Sequence, residues 1–402
     1  MAVLRYIFNV WSQTAESFGF ERYDASILEP AELYKSKGAE NEELVNEQTY
    51  TFTDRGEREV TLRPEMTPSV ARMVAAKRRE LTFPLRWYSI PNLFRYERPQ
   101  RGRLREHYQL NCDIFGSDSY VADVEIIALA HQMLLDFGAE PEMFEIRINN
   151  RKLLDEVVAS CLADANPDPS GREELRHRLI RLIDKPGPET QAELASLGIP
   201  YSAFTKEGID QEILQRTGLQ EVLNGLGELG IKNAIFDPGI MRGFDYYTGT
   251  IFEIFDTSGE NNRAMLGGGR YDNLASMFSD EKISGIGFGM GDVTMRDFLE
   301  THSLITSGIT APTLMIMPMG EPQNLAAEKL AQEFRFAGIS TAVDLSTKKI
   351  GKKVSDAAEA FVMYALVLGE NEIATGTFTV KNLEEKQEYS GTLPELIAKI
   401  NS

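Results

Sequence analysis

Two extended stretches around an arginine-rich segment constrain the fold of this chain more than any other feature. Residues 85–97 read LRWYSIPNLFRYE, residues 107–116 read HYQLNCDIFG, and the polar run RPQRGRLR lies between them. Two strand-like runs joined by a polar segment are typical of an antiparallel hairpin. The sequence therefore predicts an antiparallel hairpin that carries a long basic loop.

Positive charge is concentrated in and around this loop. Residues 63–105 hold eleven basic and three acidic side chains, a net +8, while the whole chain has a net charge of −19, so the remainder carries −27. The overall balance disfavours a protein that coats nucleic acid or anionic membranes. Arginines on a hairpin suit the bidentate binding of a polyphosphate or an RNA end. From charge alone, a solvated basic face is an equally good interpretation.

Composition narrows the class of protein further. The 402 residues are 42% hydrophobic and 26% charged, as in soluble globular proteins of two or three domains. Cys112 and Cys161 form no CxxC pair and the four histidines are scattered, so we expect no protein-bound transition metal. The N-terminus lacks a signal-peptide pattern, and no apolar run approaches the roughly 20 residues of a membrane helix. We therefore expect a cytoplasmic protein without a membrane partner.

The pattern of strands and helices changes along the chain. Residues 1–150 and 231–305 are rich in strand-like runs and are predicted to form one core. Residues 151–230 are polar and helical, and we interpret them as an insertion because the strand pattern resumes directly afterwards. Residues 311–402 alternate apolar strands with polar helices, which predicts a compact α/β domain.

Three further motifs carry residues suited to ligand binding. LRPEMT at 62–67 contains Glu65, which could bind an ammonium group, although a lone carboxylate is more often part of a surface ion pair. MRGFDYYTGTIFE at 241–253 offers an arginine for a phosphoryl group and two tyrosine hydroxyls for a polar ring. Glycines at 267–269 and at alternate positions from 285 to 291 indicate either a close ligand or tight sheet packing. No dinucleotide fingerprint, P-loop or hydrolase nucleophile elbow is present.

Together these motifs resemble the histidyl-tRNA synthetases, a family of class II aminoacyl-tRNA synthetases. TLRPEMT, the basic hairpin, RGFDYYTGTIFE, LGGGRYD and IGFGMG occur in the family's order, and the resemblance covers nearly the whole chain. It implies an α+β fold: an antiparallel catalytic sheet with flanking helices, a helical insertion near the tRNA acceptor stem, and a C-terminal α/β anticodon-binding domain. It also implies a homodimeric, cytoplasmic histidine–tRNA ligase that forms histidyl-adenylate from L-histidine and ATP with Mg²⁺, then transfers histidine to the 3′ end of tRNA(His).

The resemblance assigns roles to residues at matching positions. Arg95 and Arg242 match two catalytic arginines that hold the α-phosphate, and Arg95 also holds the substrate carboxylate. Tyr247 and Asp113 match a pair that binds the two imidazole nitrogens, which excludes isosteres that lack those groups. The implied histidine site comprises Glu65, Met66, Thr67, Gln109, Asp113, Arg242, Tyr246 and Tyr247. The implied ATP site comprises Arg95, Glu97, Arg98, Arg105, Gly289 and Gly291.

The chain departs from the family pattern at several positions. Asp113 stands where glutamate is usual, Met66 where glycine is common, and Ser26 where the first class II motif has proline. The family has glycine, leucine, glutamate and arginine in its third motif, whereas this chain has Gly291, Asp292, Val293 and Thr294. The arginine that covers the adenine and the ATP tail is therefore missing. Arg296 lies two residues further along a helix, about 200° around its axis, and is expected to point away.

Two alternatives to an active ligase remain at this point. The first is a non-catalytic paralogue such as the histidine-sensing regulatory subunit of ATP phosphoribosyltransferase. That subunit generally lacks an anticodon-binding domain, whereas residues 311–402 have the pattern of a complete one. The second alternative is a pseudo-enzyme that binds tRNA for signalling, which the missing third-motif arginine keeps open.

Overall fold

The computed structural model describes residues 2–35, 48–98, 100, 102–165, 175, 178–179, 188–205, 209, 214, 216–240, 247–274, 276, 278, 282–305 and 311–401. The chain divides into a larger unit, Val3–Leu304, and a smaller one formed by Ile305–Ser402 with the first two residues. Two residues assigned to the site by sequence, Arg242 and Tyr246, lie outside the described residues.

The described part of the larger unit contains twelve strands. They are β1 (Glu21–Arg22), β2 (Leu28–Pro30), β3 (Tyr50–Thr53), β4 (Glu59–Leu62), β5 (Leu85–Ser89), β6 (Asn92–Phe94), β7 (Glu106–Phe115), β8 (Phe144–Asn150), β9 (Ala234–Phe236), β10 (Thr250–Asp256), β11 (Ala264–Arg270) and β12 (Gly285–Gly291). The main sheet has the order β1-β5-β7-β12-β11-β10-β8-β9, with β6 also paired to β7, and β2-β4-β3 form a small second sheet. All pairs in the main sheet are antiparallel except β1 with β5 and β8 with β9.

The predicted hairpin is confirmed, with one interruption. Both β5 and β6 pair antiparallel with β7. They are separate strands because Pro91 lies between them and has no N–H to donate. The Pro91 carbonyl still accepts a hydrogen bond from the backbone N–H of Gln109, at 3.2 Å. The long strand β7 is therefore held along most of its length, which fixes the side chains that it presents.

Helices cover one face of the main sheet. The larger unit contains α1 (Ala2–Ser17), α2 (Glu32–Lys35), α3 (Thr67–Lys77), α4 (Tyr120–Asp136), α5 (Arg151–Ala165), α6 (Pro188–Ser196), α7 (Leu219–Glu228) and α8 (Asp292–Thr301). Side chains alternate between the faces of a strand. Leu110, Cys112 and Ile114 of β7 are buried, and α4 and α8 pack on this strand. The indole N–H of Trp11 in α1 lies 3.0 Å from the sulfur of Met290 in β12.

The smaller unit has the predicted alternation of strands and helices. It comprises β13 (Leu314–Pro318), α9 (Asn324–Phe336), β14 (Thr341–Val343), α10 (Ile350–Glu359), β15 (Tyr364–Leu368), α11 (Glu370–Thr375), β16 (Phe378–Asn382), β17 (Glu388–Gly391) and α12 (Leu393–Ile400). Its sheet order is β14-β13-β15-β16-β17, with the first three strands parallel and the last two antiparallel. Ile316, Phe334 and Leu366 are completely buried in its core. No helix in the described part of the chain is both long and apolar enough to cross a membrane.

Candidate active site

The face of the main sheet opposite α4 and α8 has a floor of glycine backbone. In the pairing of β7 with β12, Gln109, Asn111 and Asp113 lie opposite Gly291, Gly289 and Gly287. A Cβ atom at Gly287 would collide with the Asp113 carboxylate, and one at Gly289 with the Gln109 side chain. The glycines therefore leave the space that the polar side chains of β7 occupy. This explains the alternating glycines of the sequence, whose other face carries buried Ile286, Phe288 and Met290.

A small cavity of about 50 Å³ lies over this floor. Five of the residues assigned to histidine binding line it: Glu65, Thr67, Gln109, Asp113 and Tyr247. Thr67 begins α3, and Glu65 lies two residues before it, so the LRPEMT turn forms one wall. Met66 does not line this cavity, because its side chain is completely buried in the apolar core beneath α3.

Asp113 has a carboxylate oxygen that remains available in the small cavity. Its side chain is buried, and the Tyr271 hydroxyl donates a hydrogen bond to Oδ1. The other oxygen, Oδ2, has no hydrogen-bond partner among the described residues. Burial raises the pKa of Asp113 to about 7, although the Tyr271 hydrogen bond opposes this. A buried acceptor without a partner is costly, and an N–H group of a ligand would satisfy it.

Arg95 lies where the small cavity meets a larger cleft. Its Nε donates a 2.8 Å hydrogen bond to the Pro64 carbonyl, and its backbone N–H donates to Arg105 at 2.9 Å. These contacts fix the side chain between the two spaces, both of which it lines. Burial and the positive charge of Arg95 lower the pKa of nearby His107 to about 4. His107 is therefore neutral at physiological pH, and Arg95 supplies the positive charge.

The larger cleft has a volume of about 740 Å³. It shares four wall residues with the small cavity: Arg95, Gln109, Gly267 and Gly289. Of the residues assigned to ATP, the cleft is lined by Arg95, Glu97, Gly289 and Gly291. Two ligands bound in these adjoining spaces would therefore meet at Arg95.

Two arginines assigned to ATP do not line the cleft. The Nε of Arg105 donates to the Glu97 carbonyl at 3.1 Å, and its guanidinium covers the Tyr96 ring at 4.1 Å. Arg98 is exposed to solvent. Arg103 lines the cleft instead and pairs with Glu97 at 2.8 Å.

Other wall residues were not identified from the sequence. Arg147 of β8, Glu253 of β10 and Arg263 before β11 line the large cleft, and Tyr271 lines the small cavity. Glu253 lies within the RGFDYYTGTIFE run and Tyr271 within LGGGRYD, so both motifs contained a signal. Nothing local in the sequence marks Arg147 or Arg263.

Part of the basic segment has a structural role. Arg63 is 3% exposed and donates to the Ala25 carbonyl at 2.8 Å. Arg72 pairs with Glu29 at 2.7 Å, and Arg86 pairs with Glu125 at 2.5 Å. The +8 segment is therefore not one continuous phosphate-binding surface, because several of its arginines hold strands, helices and loops together.

An antiparallel sheet with a glycine floor, an arginine between two adjoining cavities and a separate α/β unit fit the class II aminoacyl-tRNA synthetases that the sequence motifs resemble. The family described as histidyl-tRNA synthetase matches residues 2–292, and the anticodon binding domain matches residues 313–402. The chain belongs to the histidyl-tRNA synthetase family.

Known relatives agree with this assignment. The chain is 41% identical to the histidine–tRNA ligase of Leptospira biflexa, over 100% of this chain and 94% of the relative. It is 35% identical to the histidine–tRNA ligase of Thermoplasma volcanium, over 99% and 94% of the two chains. The crystal structure of histidyl-tRNA synthetase from Nostoc sp. PCC 7120 has the same fold, with a TM-score of 0.78 at 23% identity over 98% and 94%. The predicted fold class is confirmed, and these relatives favour a ligase over the regulatory subunit considered above.

Proposed function

We propose that this protein is a histidine–tRNA ligase that activates L-histidine with ATP and transfers it to the 3′ end of tRNA(His). The observation that carries the proposal is the pair of adjoining spaces that share Arg95. The small cavity suits an amino-acid side chain and the large cleft suits a nucleotide triphosphate. Such an arrangement brings a carboxylate and an α-phosphate together, which is the requirement of the first reaction.

The small cavity supports recognition of an imidazole ring. Asp113 Oδ2 would accept a hydrogen bond from one ring nitrogen, and the Tyr247 hydroxyl would contact the other. Glu65, Thr67 and Gln109 also line the cavity and would bind the α-amino group. A site that hydrogen-bonds both ring nitrogens rejects apolar amino acids of similar size, since they would leave buried polar groups unpaired.

In the activation step, a histidine carboxylate oxygen attacks the α-phosphorus of ATP. The bond from that phosphorus to the bridging oxygen breaks, and pyrophosphate leaves with the electron pair. Arg95 would hold the carboxylate and the α-phosphate, and its fixed charge would stabilise the charge that develops. The motif assigns a second α-phosphate contact to Arg242. In the transfer step, a terminal ribose hydroxyl of the tRNA attacks the carbonyl carbon, and AMP leaves.

The donor set of the large cleft fits a magnesium ion that arrives with ATP. Mg²⁺ in nucleotide sites is usually held by one or two carboxylates, substrate phosphates and water. Glu97 and Glu253 are carboxylates on the cleft wall, and they would hold the ion. Bound there, Mg²⁺ would neutralise phosphate charge.

The same proposal extends to the partners and the assembly of the protein. Residues 311–402 would bind the anticodon of tRNA(His), and the helical insertion of residues 151–230 would lie near the acceptor stem. We propose that the enzyme is a homodimer in the cytoplasm. The small sheet supports a dimer, because Ile27, Leu28 and Phe52 in and beside it are 46%, 41% and 49% exposed. Light scattering on the purified protein tests this, and a monomeric mass would contradict it.

Histidine-dependent exchange of pyrophosphate into ATP tests the ligase activity, and charging of tRNA(His) tests the transfer. No exchange by the folded full-length protein would eliminate the ligase and favour a tRNA-binding pseudo-enzyme. We also expect Arg242→Ala to reduce adenylate formation much more than histidine binding, since its charge acts on the transition state. Equal losses in both would mean that Arg242 mainly binds the substrate.

A further inference from the structure

The third class II motif contributes no positive charge to the large cleft from position 294. Thr294 lines the cleft, where its hydroxyl donates to the Met265 carbonyl at 3.0 Å. Arg296 does not replace the missing arginine. It is exposed and pairs with Glu300 on the same helix at 2.7 Å, so it points away as predicted. A triphosphate in the cleft must find its cation elsewhere.

Arg263 reaches the same place from the opposite side. It directly precedes β11 and lines the large cleft. A Cβ on Gly102 would lie 3.2 Å from the Cδ of Arg263 and 3.7 Å from the methyl group of Thr294. Arg263, Gly102 and Thr294 therefore converge at one point on the cleft wall. An arginine at position 294 would therefore reach the same part of the cleft as Arg263.

The local charge favours an anion at this point. Arg103 already pairs with Glu97 at 2.8 Å. Arg263 is half-buried and makes no ion pair with any residue that the structure describes. Burial and the nearby charge of Arg103 lower the pKa of Arg263, with Glu97 opposing. Glu260 and Asp297 line a neighbouring pocket together with Arg263. The wall of the large cleft itself carries four arginines and three carboxylates, and the phosphates of ATP would neutralise this surplus positive charge.

We infer that Arg263 binds the β- and γ-phosphates of ATP in place of the third-motif arginine that this chain lacks. The inference rests on the proposed function, because it gives Arg263 a role in ATP binding during histidine activation. Arg263 approaches from the β10–β11 connection, whereas the lost arginine belonged to α8. The chain thus retains a cation for the ATP tail although its third motif has changed.

Arg263→Gln keeps a long polar side chain and removes the charge. We expect the KM for ATP in pyrophosphate exchange to rise at least about tenfold, as for a lost charge-assisted hydrogen bond. The KM for histidine should change less than twofold. The matched control is Arg296→Gln, the same substitution at an exposed position of the same unit, which should leave both values unchanged. An unchanged KM for ATP in Arg263→Gln would overturn the inference.

Two further measurements distinguish binding of the ATP phosphates by Arg263 from a general structural role of this residue. Calorimetry with ATP and with AMP should show weaker ATP binding in Arg263→Gln but unchanged AMP binding, and equal losses would refute a contact to the phosphate tail. Adding Thr294→Arg to this variant should restore most of the ATP affinity, and no restoration would refute the shared location. Because calorimetry needs no turnover, it tests Arg263 even if the wild type fails to exchange pyrophosphate.

Discussion

Replacing Asp113 by asparagine should make the larger unit more resistant to alkaline pH. Burial raises the pKa of this carboxyl from 3.8 to about 7, so the folded state holds its proton more tightly than the unfolded state. Below pH 3.8 both states are protonated and the group has no effect. As the pH rises to 7 the unfolded state loses its proton first, and stability falls. The full penalty above pH 7 is about 4 kcal/mol, from about three pKa units at 1.36 kcal/mol each.

The measurable part of this penalty lies between pH 5.5 and pH 8. Over that interval, titration of Asp113 lowers the free energy of unfolding of the wild type by about 2 kcal/mol. Asparagine does not titrate and makes no such contribution. Urea unfolding can follow the larger unit alone, because the only two tryptophans, Trp11 and Trp87, both lie in it. Trp87 is also paired in register with Asp113. The lower pH stays above the sequence pI of about 4.8, which limits precipitation.

The matched control is Asp118→Asn, which removes an exposed carboxyl just beyond the same strand. The stability difference between Asp113→Asn and wild type should grow by about 2 kcal/mol from pH 5.5 to pH 8, whereas Asp118→Asn should show no such growth. Contributions from all other groups cancel in this comparison. A difference that stays constant with pH would show that Asp113 titrates normally and that its burial has been misjudged.

Two other substitutions test the floor and the support of the site. Gly287→Ala places a methyl group against the Asp113 carboxylate, and overpacking of about 1–3 kcal/mol should raise the KM for histidine about tenfold or more. The control is Gly227→Ala, because open space surrounds Gly227. Equal effects of the two substitutions on the KM would contradict the steric argument. Arg270→Met breaks the buried 2.5 Å pair with Asp123 and should cost about 3–5 kcal/mol in urea unfolding, and a loss under about 1 kcal/mol would show that water reaches Asp123.

Local patterns were enough to predict most elements of the fold. The basic hairpin and the alternating C-terminal unit follow from the periodicity of side chains over short stretches. The periodic glycines from 285 to 291 indicated a special strand, but not whether a ligand or another strand approached it. That distinction needs the register of β12 against β7, which places Gly287 opposite Asp113. The pairing register depends on the whole sheet, and the sequence of either strand alone does not determine it.

The sequence motifs contain several of the residues that line the small cavity, whereas contacts between distant segments were not identified from the sequence. The Tyr271 hydroxyl donates a hydrogen bond to Asp113, 158 positions away in the sequence. No sequence pattern near either residue predicts that contact. In the basic loop, the sequence did not show which arginines face the cleft. Gly102 has a φ of +78°, which only glycine adopts readily. The chain turns there, so the alternation of side chains between the two faces of a strand cannot be used to predict which way Arg103 points. Met66 was misplaced for a related reason, since it precedes α3 and turns into the core.

The glycine floor restricts how the specificity of this site can change. Every substitution at Gly287 or Gly289 adds atoms, because glycine is the smallest residue, so mutation at these positions can only shrink the space above them. An enlarged pocket for a bulkier amino acid must therefore come from shortening the side chains that line the cavity, such as Gln109, Asp113, Tyr247 and Tyr271. Directed evolution toward larger substrates should accumulate its productive changes in these wall side chains and leave the glycines of β12 untouched.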